Sequence, residues 1–578
     1  MNEIELMNLI NSCLKEILGD KAELNVLSEE DKLFEGDLCL TSYEYMQLIF
    51  TLEKEFGILF DNTVWEYNTV SKVKDLVSCI KTNKSIMDST LESSTFSYYR
   101  IIEKNSKIFR NHNAIICTSG ESITYEQLWK YIQKEISELK RIGIKRGDNV
   151  LFYLPNSKEF VVNYFACAYI GAKMFLCDIK LEHEIETIII ENKIDVLLIN
   201  DHTQRKINKI LENNSTLYDS LKIKNVENNI KDIQVLDDRR SYKEIDSDSV
   251  SIILFTSGSE GKPKGVENSY KNITEALKNY CKTVHFSEKD KLLAVTPFFH
   301  SYAMGSCFLA GLASGATLVL LDSFQPYRVL ELIEKYKITV FHGVPYMYKI
   351  LNHLLATRKS DTSTLRMCIN AAGRLEIEEA EKFGNLTGQL IHQEYGSTET
   401  GTIAFLRESN FAKDVRCVGK PLEGVEVKIL NPDSSGIGRV EVTSRGISEG
   451  YFHAERFTKV DYVTGDLGYF DENGQIILVG REKRFINISG IKVSPYEIED
   501  VLISHPKVLC AYVYGVKSNE FGEKVKALVV RKDESLTKEE LLNYCKARLA
   551  TFKVPSWIEW KERLDTSQLG KIKITNQI

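Results

Sequence analysis

Residues 252–265 of this 578-residue chain read Ile-Ile-Leu-Phe-Thr-Ser-Gly-Ser-Glu-Gly-Lys-Pro-Lys-Gly. An apolar run, Ile252 to Phe255, feeds a loop of small residues, glycines and lysines whose chemical use is to cradle phosphate. Gly258, Gly261 and Gly265 let the backbone turn sharply and bring N–H groups to an anion. Thr256, Ser257 and Ser259 add hydroxyl donors, and Lys262 and Lys264 add charge. The G-x-x-x-x-G-K-[ST] spacing of a Walker loop is absent. A plain surface turn has the same composition, so the rest of the chain must decide.

A second chemical position is Ser42, in Gly36-Asp37-Leu38-Cys39-Leu40-Thr41-Ser42-Tyr43-Glu44-Tyr45-Met46. It falls where a helix begins. Serine there is commonly an N-cap, yet the same place stabilises a phosphate through helix N–H groups and the macrodipole.

Further polar stretches follow the glycine-rich loop in order: Pro297 to Gly305 with His300 and Met304, His342-Gly343-Val344-Pro345, Asn370-Ala371-Ala372-Gly373-Arg374, Gln393-Glu394-Tyr395-Gly396-Ser397-Thr398-Glu399-Thr400-Gly401, Thr464-Gly465-Asp466, Gly480-Arg481-Glu482-Lys483, Ile486 to Glu499 with Gly490, and Gln568-Leu569-Gly570-Lys571. Together they resemble the adenylate-forming ligases, the superfamily of acyl-CoA synthetases, luciferases and peptide-synthetase adenylation domains. Residues 1–80 resemble an acyl or peptidyl carrier domain, with Thr41 where that family usually has Asp.

The resemblance implies a role for each position. The glycine-rich loop holds the pyrophosphate of ATP. His300 and Met304 meet ATP and acyl substrate, Gly343 and Ala371 wall the acyl pocket beside Gly396, and Gly373, in the same stretch as Ala371, contacts the nucleotide. Tyr395 stacks the adenine, Thr398 bonds a phosphate oxygen, and Glu399 places Mg²⁺, a hard ion suited to carboxylate. Asp466 binds the ribose, and Arg481 also contacts the nucleotide. Lys483 is the hinge of a mobile small domain, Gly490 lines the thiol approach, and Lys571 is the catalytic lysine. Ser42 carries 4′-phosphopantetheine, installed by a pantetheinyl transferase.

The elements that must hold these residues are legible as patterns. Leu6, Leu9, Ile10, Cys13, Leu14 and Ile17, then Tyr45, Leu48, Ile49, Leu52 and Phe56, recur at helical spacing, with a shorter helix at 71–80. These predict a small all-α four-helix bundle over 1–80. Residues 81–95 are polar and read as a linker with an r.m.s. span of roughly 20 Å. From residue 96, buried-strand runs (150–154, 173–177, 195–199) alternate with helical stretches (163–169, 181–192), which predicts a large α/β core over 96–482. Residues 203–247 carry weak signals and read as a surface excursion. The resemblance makes 483–578 a small α+β domain.

Composition bounds the rest. Hydrophobic residues make up 43% and charged residues 27%, as in a soluble multidomain protein. Twelve cysteines without a C-x-x-C pair, and an acidic N-terminus without a signal-peptide pattern, fit a reducing cytoplasm. No apolar run approaches a membrane span. A net charge of −7 argues against nucleic acid as a partner. Residues 1–85 hold 16 acidic and 8 basic residues, so the acidity is concentrated in the first unit.

The implied function is ATP-dependent activation of a small carboxylic acid as acyl-AMP, then transfer to the thiol of a carrier, in cis or in trans. Residues 297–305 contain no Asp or Glu to meet an α-ammonium, so the acid reads as non-amino, aryl or aliphatic. One alternative is an acyl-CoA ligase whose N-terminal bundle is a docking module. Another is a non-catalytic nucleotide or acyl sensor, which would call for loss of Glu399, Asp466 or Lys571. All three are in place.

Overall fold

The computed structural model describes residues 3–18, 28, 30–34, 40–41, 44–45, 47–49, 51–52, 71–77, 97–181, 184–212, 221–226, 244–256, 264–407, 414–454, 456–457, 460–488, 491–518 and 522–564. The chain forms two compact units. One comprises residues 1–324, 332–341 and 448–457, and the other residues 325–331, 342–447 and 458–578.

In the first unit, the helix Glu3–Leu18 follows from its apolar spacing and buries Ile10, Cys13, Leu14 and Leu18. Tyr45, Leu48, Ile49 and Leu52 from a second helical stretch, and Val73, Leu76 and Val77 from a third, close a core with Leu33 and Leu40. The bundle expected over 1–80 extends beyond the described residues. The second stretch is capped by Thr41: its backbone N–H donates to Glu44 Oε2 at 2.9 Å, and its hydroxyl accepts from Glu44 N–H at 3.2 Å. That reciprocal pair is a capping box, worth about 1 kcal/mol. The cap that the sequence leaves open for Ser42 is therefore Thr41, while Ser42 lies outside the described residues.

The α/β part of this unit holds a seven-stranded sheet. Its strands run in the order Gly450–Tyr451, Lys264–Ser269, Val250–Thr256, Lys173–Leu176, Asn149–Phe152, Val196–Ile199 and Lys222–Asn225. The last five are mutually parallel, and burial on both faces explains the near-continuous apolar sequence of all but the edge strand Lys222–Asn225. The helix Lys158–Ile170 is buried from Phe160 onward, capped by Ser157 and ended by Gly171 at φ 85°. The surface excursion expected over 203–247 is corrected in part. Asp201–Glu212 is a helix, and Lys222–Asn225 is an edge strand of the sheet. The strand was hidden because only Lys224 and Asn225 turn away from solvent. Lys224 is buried in an ion pair with Glu135.

A second sheet of this unit pairs Val340–Phe341, Lys291–Ala294, Thr317–Leu320 and Asn113–Ile116 in parallel, with Ser122–Thr124 antiparallel at the edge. Asn156 ties it to the end of the strand Asn149–Phe152. Its Nδ2 donates to Ala294 O and Thr296 O, and its Oδ1 accepts from Phe298 N–H at 2.9 Å.

The second unit holds a mixed sheet. Met367–Asn370 and Ile391–Ser397 are parallel. Gly401–Leu406, Cys417–Pro421, Ile476–Arg481, Asp461–Phe470, Gly438–Thr443 and Glu426–Leu430 follow, each antiparallel to its neighbour. Residues 486–561 then build a five-stranded sheet with helices Pro495–Ile503 and Lys538–Lys546. Ile486, Val493, Ile498, Leu502, Val513, Val529, Leu541 and Ile558 belong to its own core. This is the small α+β domain. Among the described residues, no helix is long and apolar enough to cross a membrane.

Candidate active site

The glycine-rich loop joins two antiparallel strands. Phe255 pairs with Gly265 and Thr256 with Lys264, so the hairpin closes on Thr256 and Lys264. Lys264 Nζ lies 5.9 Å from the Tyr451 ring centre. Ser257, Gly258, Ser259, Gly261 and Lys262 lie outside the described residues. Gly265 departs from the reading given it above. It sits inside a strand, and a Cβ there would come within 2.7 Å of Ile253 Cγ2. Its glycine is accounted for by packing under the hairpin and makes no sharp turn.

The stretch after Pro297 is held by Asn156 at Phe298. His300 N–H then donates to Pro297 O, and Met304 N–H to His300 O at 2.9 Å. Residues 303–309 form a π-helical turn rather than the expected loop. Such turns are uncommon and recur at functional sites. Met304 is buried on it, while Gly305 faces open space on its missing Cβ side.

In the second unit, the two stretches expected to wall an acyl pocket do come together. Ala371 N–H bonds Gly343 O at 3.4 Å, and Gly373 packs on Pro345. Asn370 Nδ2 fixes the turn by donating to Gly373 O at 3.0 Å and Gln393 Oε1 at 2.8 Å. Within this turn, Ala372 adopts φ 62°, an uncommon conformation for a residue with a side chain.

Tyr395 lies near the end of the strand Ile391–Ser397, and its hydroxyl donates to Asp466 Oδ2 at 2.7 Å. Arg481 pairs opposite Asp466 in the neighbouring strand and places Nε 2.8 Å from Oδ1. Three of the expected nucleotide residues thus form one chain of contacts. Burial, and next the Asp466 charge, raise the Tyr395 hydroxyl well above its ordinary pKa, so it stays a donor. Burial, the largest single influence, works against the Arg481 charge, but Asp466, Tyr395, Tyr496 and Glu399 together outweigh it and hold the guanidinium above its usual range. Gly396 needs its missing side chain, since a Cβ would lie 2.4 Å from Gly401 O. Beyond it, Ser397 to Thr400 close a turn through Ser397 N–H to Thr400 Oγ1 at 3.3 Å, which presents Thr398 and Glu399.

Lys483 is the middle residue of a 3₁₀ turn, Glu482–Arg484, between the two sheets of the unit. Gly490 and Lys571 lie outside the described residues.

Several supporting residues were missed from sequence. Thr464 accepts from the Tyr395 hydroxyl at 3.3 Å and from Asp466 N–H at 3.1 Å. Thr402 donates to buried Glu394 at 2.7 Å. Asn156 had a signal, as an amide following Leu154-Pro155 just before the cap Ser157. Thr464 falls inside a quoted stretch, but its bond to Tyr395 crosses strands, and Thr402 leaves no local mark.

These residues fit ATP and Mg²⁺. Each Asp466 oxygen keeps acceptor capacity for a ribose hydroxyl beside its present partner. Among the described residues there is no cluster of three metal-ligating side chains. Glu399 alone suits Mg²⁺, which usually takes one or two carboxylates and completes its shell with water and phosphate.

Residues 102–452 match the AMP-binding enzyme family, and residues 497–571 its C-terminal domain. The chain belongs to this family. The 4-coumarate-CoA ligase 1 of Narcissus pseudonarcissus is 27% identical over 487 residues, covering 78% of this chain and 88% of its own. The feruloyl-CoA synthase of an Amycolatopsis species is 27% identical over 484 residues, covering 80% and 94%. The fold matches ATP-bound MatB from Rhodopseudomonas palustris with a TM-score of 0.72 at 23% identity, covering 82% of this chain and 97% of that one. It also matches the o-succinylbenzoate CoA synthetase of Bacillus subtilis bound to ATP and magnesium, with a TM-score of 0.71 at 25% identity, covering 82% and 98%. This AMP-binding enzyme is an AMP-forming acid–thiol ligase that uses ATP to activate a carboxylic acid as the acyl-AMP. The family match begins at residue 102, so the N-terminal helical unit precedes it.

Proposed function

We propose that the ligase passes its acyl group to a 4′-phosphopantetheine thiol on Ser42 of its own N-terminal unit. The observation that carries this reading is the Thr41–Glu44 capping box. A carrier family that usually has Asp at this place loses no cap when Thr takes over, because both residues cap well. The hydroxyl of Ser42 is then not needed for capping. The acidic balance of this unit and its separate apolar core add support. In this reading residues 1–80 are the carrier, 81–95 the linker, 96–482 the core and 483–578 the mobile domain.

The residue roles follow. Two anions, carboxylate and α-phosphate, must meet, so the site works by neutralising and positioning charge. Asp466 and Arg481 seat the ribose, with the Tyr395 ring against adenine. Thr256, Ser257, Gly258, Ser259, Gly261, Lys262 and Lys264 hold the phosphates, with Thr398 on a phosphate oxygen. Glu399 would hold Mg²⁺, which supplies charge stabilisation on the triphosphate. Lys571 bridges the carboxylate and the α-phosphate. His300, Met304, Gly343, Ala371 and Gly396 surround the acyl group, and Gly373 contacts the nucleotide. The small domain then turns about Lys483, and the thiol enters past Gly490.

The substrate is a non-amino acid of aryl or aliphatic character. The names of the coumarate and ferulate ligases favour aryl. The same names favour a second reading of the acceptor, in which coenzyme A takes the acyl group and the N-terminal unit is a docking module.

Intact-mass measurement separates the two. The protein is treated with coenzyme A and a broad-specificity pantetheinyl transferase, then with Mg-ATP and a panel of acids. The proposal expects one phosphopantetheine mass followed by one acyl mass, both absent in Ser42→Ala. Acyl-CoA in solution with an unmodified chain establishes the second reading instead.

A further inference from the structure

The small domain is joined to the preceding sheet by a link two residues long, and the structure shows what fixes each side of it. Before the link, Arg481 is held in a strand opposite Asp466 and ion-paired with it. After the link, Arg484 is fastened to the small domain. Its guanidinium lies between the rings of Tyr496 and Tyr512, 4.5 Å and 4.6 Å from their centres. It also donates to Glu499 Oε1 at 2.7 Å and to Val513 O at 3.3 Å. Two cation–π contacts and a charged hydrogen bond in a half-buried place make Arg484 part of a rigid body. Only Glu482 and Lys483 remain to turn.

A body that turns on so short a link is held in one orientation by its contacts elsewhere. One charged contact of this kind is Arg374 Nη1 to Asp500 Oδ2 at 3.0 Å. Arg374 ends the turn Asn370 to Arg374, and Asp500 lies on the first helix of the small domain. A second contact is Ser494 Oγ donating to Val479 O at 3.3 Å. Other charges around the pair include Glu376, Asp414, Arg416, Glu497 and Glu499. Arg416 is engaged by Asp414, with Nη2 2.8 Å from Oδ2. Asp500 thus depends on Arg374 for direct pairing.

We infer that the Arg374–Asp500 ion pair is a positioning contact that holds the small domain in this orientation and sets the balance between adenylate formation and thiol transfer. The inference rests on the two-step reading above, in which the domain turns between the steps. It adds that the turn that walls the acyl site also carries the restraint, so a single side chain joins acyl site and domain position.

The test compares two rates in the full-length protein. One is acid-dependent pyrophosphate exchange. The other is consumption of synthetic acyl-AMP by coenzyme A or by the phosphopantetheinylated chain. Asp500→Asn keeps shape and removes the charge. The ratio of the two rates should change by about three- to tenfold, the effect of losing one half-exposed ion pair, while the unfolding midpoint stays within a few degrees. The exchanged pair Arg374→Glu with Asp500→Arg should bring the ratio back toward wild type. In the wild-type protein, added salt should move the ratio in the same direction as Asp500→Asn, because such pairs are screened. This readout remains if a variant does not fold. A ratio unchanged within twofold in Asp500→Asn, or in the salt series where the variant is unfolded, overturns the inference. A wild-type protein unable to perform either step overturns the two-step reading instead.

Discussion

The Tyr395 hydroxyl donates to Asp466 Oδ2, tying a ring at the end of one strand to a carboxylate in the middle of another. The bond orients the acid that is proposed to seat the ribose, while Arg481 holds its other oxygen. The Tyr395 ring and the Asp466 carboxylate are therefore one mechanical unit.

Removing that hydroxyl should loosen nucleotide binding without removing the ring. A hydrogen bond to a charged group contributes about 1.5–3 kcal/mol. Since Arg481 still steers Asp466, Tyr395→Phe should raise KM for ATP by about tenfold at the lower end of that range. The maximal exchange rate should change little. Pyrophosphate exchange across an ATP series reads this directly, and an unchanged KM would mean that Arg481 alone positions the carboxylate.

Gly396 gives a sharper structural test. The hairpin it opens passes so close that a Cβ would sit 2.4 Å from Gly401 O and 3.0 Å from Thr402 Cα. Both neighbours are backbone, so the strands must part. Gly396→Ala should cost about 1–3 kcal/mol, as overpacking does. It should also displace the turn that carries Thr398 and Glu399, cutting exchange about tenfold or more. Calorimetry with exchange on the same sample checks both. Wild-type values for the two would show that the hairpin has room the structure does not give it.

How much of this was legible in the sequence depended on the range of the interaction. Strand alternation and helical spacing are local, so the strands near 150, 173 and 196 and the helix over 3–18 could be read directly. The Tyr395, Asp466 and Arg481 positions were legible through resemblance, because each falls in a recognisable stretch. Their mutual bonding was not, since strand register is set by pairing across the sheet. Gly265 was misread for the same reason. A glycine in a phosphate-type loop and a glycine under a neighbouring isoleucine look alike until the register is known. Arg374 was legible only as the end of a recognisable stretch and Asp500 carried no signal, and only the fold makes them partners. Thr41 was visible in sequence, but its capping role became evident only from the bonds to Glu44.

Acid sensitivity should have a component at His392. Burial lowers its pKa to about 4, from an ordinary value of about 6.5. The ring stacks on Phe405 at 5.8 Å and 18°. The unfolded chain takes up a proton below about pH 6.5, while the folded chain does so only near 4. Stability is therefore full above 6.5 and falls as the pH drops through this window, by about 3 kcal/mol at its end. His392→Phe keeps a flat ring and removes the proton site. The variant starts lower at pH 7, having lost hydrogen bonds to backbone, but its stability should fall less steeply between pH 6.5 and 4. Denaturant melts at several pH values compare the slopes, and parallel curves for the two proteins would contradict the assignment.

Whether the proposed carrier is loaded within one chain is decided by pairing two defective proteins. Ser42→Ala can activate the acid but offers no arm. Lys571→Ala offers the arm but should lose adenylate formation by about 10²-fold, as other sites do when a charge stabiliser is removed. Tethering raises the effective concentration of a carrier to the millimolar range where the connection reaches, which favours loading in cis. Two features oppose it. The N-terminal unit precedes the ligase, and a chain of fifteen residues reaches only about 50 Å when fully extended. If the arm reaches its own site, intact protein should load at a rate independent of dilution, and the mixture should leave the Lys571→Ala chain unlabelled. If two chains serve each other, the label should appear on the Lys571→Ala chain at a rate that rises with concentration. If intact protein acquires no acyl group while coenzyme A is acylated, the acceptor is coenzyme A, and the N-terminal unit has a docking role.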